Sequence, residues 1–333
     1  MKGTTRSRVT TDASWRVAKT TRRSKQRERP APRGARDHGL RFSELKFTAI
    51  LFFALFLSGC LTVPSAAERL TTADRIAQES GFHRSCVRTT PFLLTAYSRI
   101  QNPGQPLHIY IEGDGYAWVT RNRVSGDPTP RRPLALELAA LDPAPNVVYL
   151  ARPCQYTSSE MNSACEDEAY WTDKRFSEEV VGSMNQAIDK FVKEAQSPGV
   201  HLIGYSGGGA VAALIAARRQ DVKSMRTVAG NLDPKGLEEY HEVSPPDDAS
   251  LDPMEVAGKL SSIPQYHFVG TEDPIVPAFI AEHFAGKSKK SVCVRVVPVP
   301  GADHVNGWAE AWPRLLALPL DCSETKPASA KRS

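Results

Sequence analysis

The chain has 333 residues, a length that fits one large domain or two small ones. Its hydrophobic content of 41% and charged content of 24% are ordinary for a globular protein, so extensive disorder is excluded. Six cysteines are too few for a scaffold built from disulfides, and the single long apolar run excludes a protein with many membrane spans. The formal charge of +5 raises nucleic acid or an anionic membrane as a partner, so its position in the chain matters.

The positive charge is concentrated at the N-terminus. Residues 1–59 contain 14 Lys and Arg against 4 Asp and Glu, which leaves 28 bases and 33 acids in residues 60–333. The apolar run at 47–57 has 11 residues. A membrane-spanning helix needs about 20, whereas the apolar core of a signal peptide needs about 7–15. We therefore interpret the basic arm as part of an export signal and expect no nucleic-acid partner.

The four residues after the apolar run, Leu57-Ser58-Gly59-Cys60, resemble the bacterial lipobox. In that motif the Cys sulfur carries diacylglycerol and the Cys becomes the mature N-terminus. The resemblance implies that residues 1–59 are a lipoprotein signal peptide with a long basic n-region, and that Cys60 anchors the protein to a membrane. Leu61 stands where Asp is associated with inner-membrane retention, which favours the periplasmic side of the outer membrane. The alternatives are an ordinary cleaved signal peptide or a buried helix with a chance Cys.

Beyond Cys60, apolar segments typical of strands alternate with segments of helical period. We expect a tether and a helix in residues 60–87, one domain over 88–320, and a flexible polar tail over 321–333. Strands are predicted at 91–100, 107–112, 146–151, 200–204, 225–229, 265–270 and 292–299. Helices are predicted at 71–79, 134–141, 174–195, 208–219, 277–284 and 307–318. This alternation predicts an α/β fold with a mostly parallel sheet, helices on both faces and no large cap domain.

Five cysteines remain if Cys60 is acylated, and an oxidising compartment would permit disulfides. Cys154 and Cys165 lie 11 residues apart in one loop-like segment, which makes them the first candidate pair. A second possible pair is Cys293 with Cys322, and Cys86 would then stay free. The spacing of cysteines and histidines indicates no zinc site, so we expect no metal.

A G-x-S-x-G motif lies between a predicted strand and a predicted helix. The strand at 200–204 leads into Gly204-Tyr205-Ser206-Gly207-Gly208, which is followed by a helix of small residues. This context is typical of a nucleophile elbow, in which Gly204 and Gly208 avoid clashes around a strained Ser206. A helix N-terminus behind the serine favours developing negative charge. The alternative is a glycine-rich turn that binds phosphate or only packs.

A serine nucleophile needs a base, and the base in turn needs an orienting carboxylate. Among the histidines after Ser206, His304 lies in a loop between the last predicted strand and the last helix, whereas the others fall in a strand, a helix and a polar segment (His267, His283 and His241). Asp273 follows the strand at 265–270 and is the preferred acid. Three other carboxylates stay open as alternatives (Glu272, Asp233 and Asp303).

The strand at 107–112 runs into a glycine-containing loop, Glu112-Gly113-Asp114-Gly115-Tyr116. In hydrolases with this motif order, such a loop supplies one backbone N–H of the oxyanion hole, and the residue after the nucleophile supplies the other. The predicted donors are Asp114 and Gly207, with Gly115 or Tyr116 as alternatives to Asp114. Glu112 stands where His is usual, which leaves the first donor open by a residue. A plain glycine turn is the structural alternative.

Taken together, the elbow and the order Ser206, Asp273, His304 resemble the α/β-hydrolases over roughly residues 88–320. With the lipobox, the chain resembles bacterial α/β-hydrolase lipoproteins of uncharacterised substrate. The resemblance implies a serine hydrolase that needs no metal or cofactor and forms an acyl-enzyme on Ser206.

We expect hydrolysis of a small-molecule or lipid-like carboxylic ester in the bacterial cell envelope. The alternatives are an amidase or peptidase on the same residues and a non-catalytic envelope lipoprotein. Aromatic residues in the loops are candidates for an acyl or aromatic pocket (Tyr116, Trp118, Tyr170 and Trp171). Arginines near the same edge favour either an anionic substrate or a solvated face (Arg121, Arg123, Arg131 and Arg132).

Overall fold

A computed structural model describes residues 63–243, 250–288 and 291–322. The predicted export signal, Cys60 and most of the predicted tail lie outside these ranges. Among the helices of the three ranges, none combines the length and the apolar character needed to cross a bilayer.

The described residues form ten strands and eight α-helices. The strands are β1 (His83–Arg88), β2 (Leu93–Ile100), β3 (Leu107–Ile111), β4 (Trp118–Thr120), β5 (Arg123–Val124), β6 (Asn146–Leu150), β7 (Val200–Tyr205), β8 (Val222–Val228), β9 (Gln265–Gly270) and β10 (Val294–Val299). The helices are α1 (Ala66–Glu79), α2 (Leu134–Ala140), α3 (Glu178–Glu194), α4 (Gly207–Ala216), α5 (Pro234–Tyr240), α6 (Pro253–Val256), α7 (Ala278–Gly286) and α8 (Trp308–Leu316). Short 3₁₀ turns lie at Ser163–Glu166, Glu168–Trp171 and Ala257–Leu260.

Eight strands form one sheet in the order β1-β2-β6-β3-β7-β8-β9-β10. β2 runs antiparallel to its neighbours β1 and β6, and all other pairs are parallel. The carboxyl ends of parallel strands lie at one edge of a sheet, where ligands of open α/β sheets bind. The loops after β3, β7, β9 and β10 therefore meet at this edge, and they contain Asp114, Ser206, Asp273 and His304.

Helices cover both faces of the sheet, as the alternation of elements predicts. β3 is buried on both sides, because Ile109 belongs to the core under α3 and α4 while Tyr110 belongs to the core under α1, α2 and α8. Burial on both faces explains why the parallel strands are near-continuous apolar runs rather than alternating ones. α4 is buried along its whole length, which its Gly and Ala residues permit by letting it lie close to the sheet.

Several element boundaries differ from the sequence prediction. The sheet begins earlier, because β1 pairs along its six residues with β2. β1 was not predicted, since its sequence HRSCVR is polar and only Val87 is buried. α1 starts at Ala66 rather than at residue 71, because Ser65 and Glu68 form a capping box there. The small hairpin of β4 and β5 lies in a segment predicted only as loop.

Two disulfides are present in the described ranges. One joins Cys154 to Cys165, the first candidate pair, and the other joins Cys293 to Cys322. The second bond ties the start of the C-terminal tail to the segment that enters β10. Cys86 is a free, exposed thiol on β1.

Candidate active site

Ser206 lies in a tight turn between β7 and α4. Its backbone has φ 50° and ψ −122°, a conformation that L-residues other than glycine rarely adopt. A methyl group added to Gly204 would lie 2.3 Å from the Gly208 oxygen, and one added to Gly208 would lie 2.3 Å from the Ile111 oxygen. The turn therefore requires glycine at both positions, as the motif predicts.

The structure brings Ser206, His304 and Asp273 into one hydrogen-bonded chain. His304 Nε2 lies 3.1 Å from Ser206 Oγ, and His304 Nδ1 lies 2.9 Å from Asp273 Oδ2. We assign the tautomer in which Nδ1–H donates to the carboxylate, because an ionised carboxylate only accepts. Nε2 is then free to accept the hydroxyl proton of Ser206.

Asp273 is held in place by the backbone of its own loop. Its side chain is fully buried beside His304, and its second oxygen, Oδ1, accepts hydrogen bonds from the N–H groups of Ile275 (2.8 Å) and Val276 (2.9 Å). These two bonds satisfy the oxygen that does not contact histidine. The carboxylate is thereby fixed with Oδ2 facing the imidazole.

The His304 loop is fixed by contacts on both sides of the histidine. The Tyr205 hydroxyl donates to the His304 carbonyl oxygen at 3.1 Å. Asp303, an alternative acid in the sequence analysis, accepts hydrogen bonds from the N–H groups of Val305 and Asn306 at 2.7 Å each. Its carboxylate therefore stabilises this turn. Glu272, another alternative acid, precedes Asp273 in the loop after β9 and is exposed.

The remaining alternatives have partners other than Ser206. Asp233 caps α5 by accepting from Gly236 N–H, and its other oxygen lies 2.9 Å from His283 Nδ1. His267 is buried in β9 with its Nδ1 2.9 Å from Thr227 Oγ1. His241 Nε2 lies 2.7 Å from the carbonyl oxygen of Ile275, in the loop after β9 that contains Asp273.

The loop after β3 touches the nucleophile. A methyl group on Gly113 would lie 3.1 Å from Ser206 Cβ, whereas one on Gly115 would lie 2.1 Å from Pro128 O, away from the serine. The Gly113 N–H donates to the Glu112 carboxylate and the Tyr116 N–H donates to Pro128 O, so neither is free for a substrate oxygen. In the described ranges, the N–H groups of Asp114, Gly115 and Gly207 have no acceptor, so the hydrogen bonds exclude Tyr116 and leave Asp114 or Gly115 as the first donor beside Gly207.

The architecture of this chain is similar to that of several solved hydrolase structures. An esterase from Pyrococcus furiosus has a TM-score of 0.50 to this chain at 13% identity, over 72% of this chain and 91% of that chain. Est1E from Butyrivibrio proteoclasticus, with ferulic acid bound, has a TM-score of 0.50 at 16% identity, over 70% and 97%. Puromycin hydrolase has a TM-score of 0.51 at 14% identity, over 71% of this chain but 37% of that one. This chain has the α/β-hydrolase fold.

At these identities the likeness concerns the fold. No protein-family model matches the sequence. No curated protein sequence matches it either. Within the α/β-hydrolase fold, further properties of the site must therefore be derived from the residues themselves.

Two arginines of the site were missed by the sequence analysis. Arg152, in the loop after β6, places Nη1 3.0 Å from Asp114 Oδ1, and Arg175, before α3, places Nε 3.6 Å from Asp114 Oδ2. Arg175 also pairs with Glu238 of α5 at 2.7 Å. These residues come from four separate segments, so no local motif could have grouped them.

Glu112 is a second feature that the sequence analysis left open. Its carboxylate accepts from Gly113 N–H at 3.0 Å and from the Tyr149 hydroxyl at 3.1 Å. Burial raises the pKa of Glu112 from 4.5 to about 7, because desolvation disfavours the charged form. Glu112 thus holds the loop after β3 through the Gly113 N–H. It stands at the position where the sequence analysis expected His.

The aromatic residues predicted to line a pocket have different environments. Tyr170 and Trp171 border a small cavity of about 10 Å³, the room of a single water molecule, together with Asp114, Arg152 and Arg175. Trp118 is exposed on β4, and the Tyr116 ring lies beneath the Arg69 and Arg131 guanidinium groups. The pocket beside Asp114 is therefore built from a mixture of aromatic and charged side chains.

Among the arginines predicted near the edge of the site, Arg132 forms contacts that stabilise the fold. Arg132 pairs with Glu137 at 2.6 Å and donates to Val305 O, which links α2 to the His304 loop.

Within the described ranges, no three His, Cys, Asp or Glu side chains are grouped closely enough to hold a metal ion.

Proposed function

We propose that this protein is a serine hydrolase that cleaves carboxylic esters through an acyl-enzyme on Ser206. The observation that carries the proposal is the chain of contacts from Ser206 Oγ to His304 at 3.1 Å and from His304 to Asp273 at 2.9 Å. The strained turn of Ser206 adds support, because such strain is concentrated at functional sites. A glycine-rich turn that only packs has no need of a buried histidine–carboxylate pair.

In the acylation step, Ser206 Oγ attacks the ester carbonyl carbon while His304 Nε2 takes the hydroxyl proton. Asp273 holds the imidazole in the productive tautomer and stabilises the imidazolium that forms. His304 then returns the proton to the departing alkoxide oxygen, so the alcohol leaves and the acyl group stays on Ser206. Only Nε2 faces the serine, so one nitrogen performs both transfers.

The negative charge that develops on the carbonyl oxygen is stabilised by the N–H groups of Asp114 and Gly207. Gly207 is the first residue of α4, so the positive end of the helix dipole adds to its N–H. In deacylation, water gives a proton to His304 and attacks the acyl carbon. The acid product leaves, and the proton returns to Ser206 Oγ.

The choice of an ester over an amide substrate is supported by the size of the domain. The two esterases match this chain along 91% and 97% of their own lengths, whereas puromycin hydrolase matches along 37%. The aligned 70–72% of this chain therefore corresponds to nearly the whole length of either esterase.

We further propose that the enzyme is attached to the bacterial envelope through a lipid on Cys60, on the periplasmic side of the outer membrane. α1 begins at Ala66, so the tether after Cys60 has few residues. Metabolic labelling with an alkyne fatty acid should mark the wild type but not Cys60→Ala. Equal labelling of the two proteins would contradict the anchor without affecting the hydrolase proposal.

The hydrolase proposal is tested with a fluorophosphonate probe on purified protein. The wild type should be labelled, and Ser206→Ala and His304→Ala should not. Ser224→Ala is a matched control, because Ser224 Oγ lies 2.7 Å from His201 Nδ1 in a second, buried serine–histidine contact. Labelling that survives in Ser206→Ala, or is absent from correctly folded wild type, would overturn the proposal.

A panel of p-nitrophenyl esters and the matching anilides then separates esterase from amidase activity. We expect ester turnover that depends on Ser206 and is at least about 10²-fold above anilide turnover, because p-nitrophenolate leaves more readily than p-nitroaniline. Faster anilide cleavage would support the amidase alternative.

A further inference from the structure

We propose that Arg152 and Arg175 are positioning residues that hold the Asp114 carboxylate and thereby aim the Asp114 N–H at the oxyanion. This inference rests on the proposed hydrolase function and names residues that set the transition-state geometry of the same site. Neither guanidinium contacts Ser206 or His304 in the described structure; both act through Asp114.

The carboxylate of Asp114 packs directly against the residue that supplies the other oxyanion donor. A methyl group on Gly207 would lie 2.0 Å from Asp114 Oδ1 and 2.7 Å from Oδ2. The side chain of Asp114 thus fills the space that a Cβ at position 207 would occupy. Its position fixes the distance between the β3 loop and the N-terminus of α4.

Arg152 and Arg175 contact different oxygens of the Asp114 carboxylate. Arg152 Nη1 binds Oδ1 at 3.0 Å, and Arg175 Nε approaches Oδ2 at 3.6 Å. The Arg152 side chain is only 5% exposed, and its Nη2 donates to the Arg175 carbonyl oxygen. The carboxylate therefore cannot rotate without breaking contacts to two cations, of which Arg152 is buried.

The backbone of the same loop is held by the segment 152–155. Gln155 Oε1 accepts from Arg152 N–H at 3.0 Å, and Gln155 Nε2 donates to Gly113 O at 2.9 Å. The disulfide from Cys154 to Cys165 anchors this segment to the neighbouring loop. One short segment thus fixes both the carbonyl of Gly113 and the carboxylate of Asp114, which leaves the peptide N–H between them with one orientation.

Charge gives the arginines a second role. An unpaired carboxylate beside an oxyanion hole would repel the negative charge that develops in the transition state, and such repulsion is strong in a partly buried site. Two guanidinium groups on that carboxylate neutralise it. Since the ground-state ester is uncharged, both effects act on the transition state rather than on substrate binding.

The test compares Arg152→Met and Arg175→Gln with wild type in ester hydrolysis. We expect kcat to fall about 10- to 100-fold with KM within about threefold, because an oxyanion contact is made only in the transition state. Arg152→Lys should recover part of the loss, since it restores the charge but not the two-pronged geometry. Arg175 is less buried than Arg152, so its variant guards against a failure to fold.

Arg219→Met is the matched control. Arg219 is also a buried arginine with two carboxylate partners, Asp189 and Asp221, but it lies beyond the opposite end of α4. We expect it to lower stability while leaving kcat within about twofold. A loss of kcat in Arg219→Met equal to that in Arg152→Met would show a general effect of destabilisation and would overturn the proposal.

Amide hydrogen exchange of the full chain supplies a readout that does not depend on activity. Peptides covering residues 112–116 should exchange faster in Arg152→Met than in wild type and at the wild-type rate in Arg219→Met. Unchanged exchange in Arg152→Met would overturn the positioning role. If wild type lacks Ser206-dependent hydrolysis, the proposed function fails, and the exchange comparison alone decides whether Arg152 holds the loop.

Discussion

At the scale of single residues, two aspartates at the carboxyl edge of the sheet each contact a histidine. Asp273 lies 2.9 Å from His304, which contacts Ser206, whereas Asp233 lies 2.9 Å from His283, which is half exposed and contacts no serine. The two pairs share the Nδ1–Oδ2 distance, and they differ in burial and in the partner of the histidine. Asparagine variants therefore separate the functional acid from the structural one.

Asp273→Asn should lower kcat for ester hydrolysis by about 10³- to 10⁴-fold, because the amide oxygen stays with the N–H groups of Ile275 and Val276, so the amide NH2 faces His304 Nδ1 and the wrong tautomer forms. Asp233→Asn should stay within about twofold of wild type, since its Oδ1 still caps α5. Steady-state kinetics with a p-nitrophenyl ester measures both. A large loss in Asp233→Asn with normal activity in Asp273→Asn would exchange their roles.

Glu112 predicts a dependence of stability on pH. Its pKa is raised from 4.5 to about 7 in the folded protein, so the native state binds the proton more tightly than the unfolded state. The free energy of unfolding should therefore fall as pH rises from 4.5 to 7, by about 2–3 kcal/mol from this group. Glu112→Gln keeps an acceptor for Gly113 N–H but does not titrate.

Urea denaturation of wild type and Glu112→Gln at pH 5 and pH 8 checks this prediction. The variant should gain stability relative to wild type at the higher pH. An equal difference at the two pH values would contradict a buried, titrating Glu112.

Local sequence was sufficient to group Ser206, Asp273 and His304, because a glycine-flanked serine and the order of loops after strands carry the signal. It could not group Arg152, Arg175 and Glu238 with Asp114. Those contacts join side chains from distant segments, and charged residues in loops are usually solvated. Glu112 was noted only as a departure from the expected His, since its burial depends on the packing of β6 above it.

At the scale of elements, glycines in β7 and α3 predict opposite effects of the same substitution. Gly204→Ala should destabilise the protein by several kcal/mol and abolish ester hydrolysis, because the new methyl would lie 2.3 Å from the Gly208 oxygen. Gly182→Ala should stabilise it by about 0.5–1 kcal/mol, since it lies inside α3 with no atom within 4 Å of a new Cβ.

Thermal denaturation and ester turnover of both variants provide the measurement. Retention of activity in Gly204→Ala would show that the turn at Ser206 can relax, which the close packing of Gly204 against Gly208 argues against. Gly182→Ala keeps the catalytic residues untouched and serves as the control for both readouts.

Elements with strong apolar patterns were predicted, and polar edge elements were not. α3 has buried residues at helical spacing along its length. Ser177 caps its N-terminus, since the Ser177 side chain accepts from Val180 N–H. β1 has one buried residue in six, so its pattern is indistinguishable from a loop until β2 is beside it. The hairpin of β4 and β5 is too short to carry a pattern at all.

At the scale of the whole molecule, buried histidines predict sensitivity to acid. Burial lowers the pKa of His267 to about 3 and that of His201 to about 4, so both are neutral in the folded protein. Unfolded histidine has a pKa near 6.5, so the unfolded state binds more protons below that pH. Stability should fall as pH is lowered from 6.5 towards 4.

His267→Gln isolates this effect. From pH 6.5 to 4.5 its free energy of unfolding should decline less than that of wild type, by about 2–3 kcal/mol, because one buried group no longer titrates. The contributions of Glu112 and His201 are common to both proteins and cancel in the difference. Parallel pH profiles in urea denaturation would contradict the prediction.

The fold class was predictable because strands and helices alternate along the chain, and parallel pairing follows from that alternation. The antiparallel pairing of β2 with β1 and β6 was not, since β1 and β2 form a hairpin with no helix between its strands. The disulfide from Cys293 to Cys322 remained open for a similar reason, because it joins segments separated by the last helix.

The two outer strands of the sheet, β1 and β10, have a further consequence for concentrated protein. Pro298 in β10 has no N–H to offer a neighbouring strand, and β1 presents the charged side chains of Arg84 and Arg88. Both edges are therefore poor templates for edge-to-edge aggregation between molecules. A sheet protected in this way tolerates high protein concentration without strand pairing between molecules.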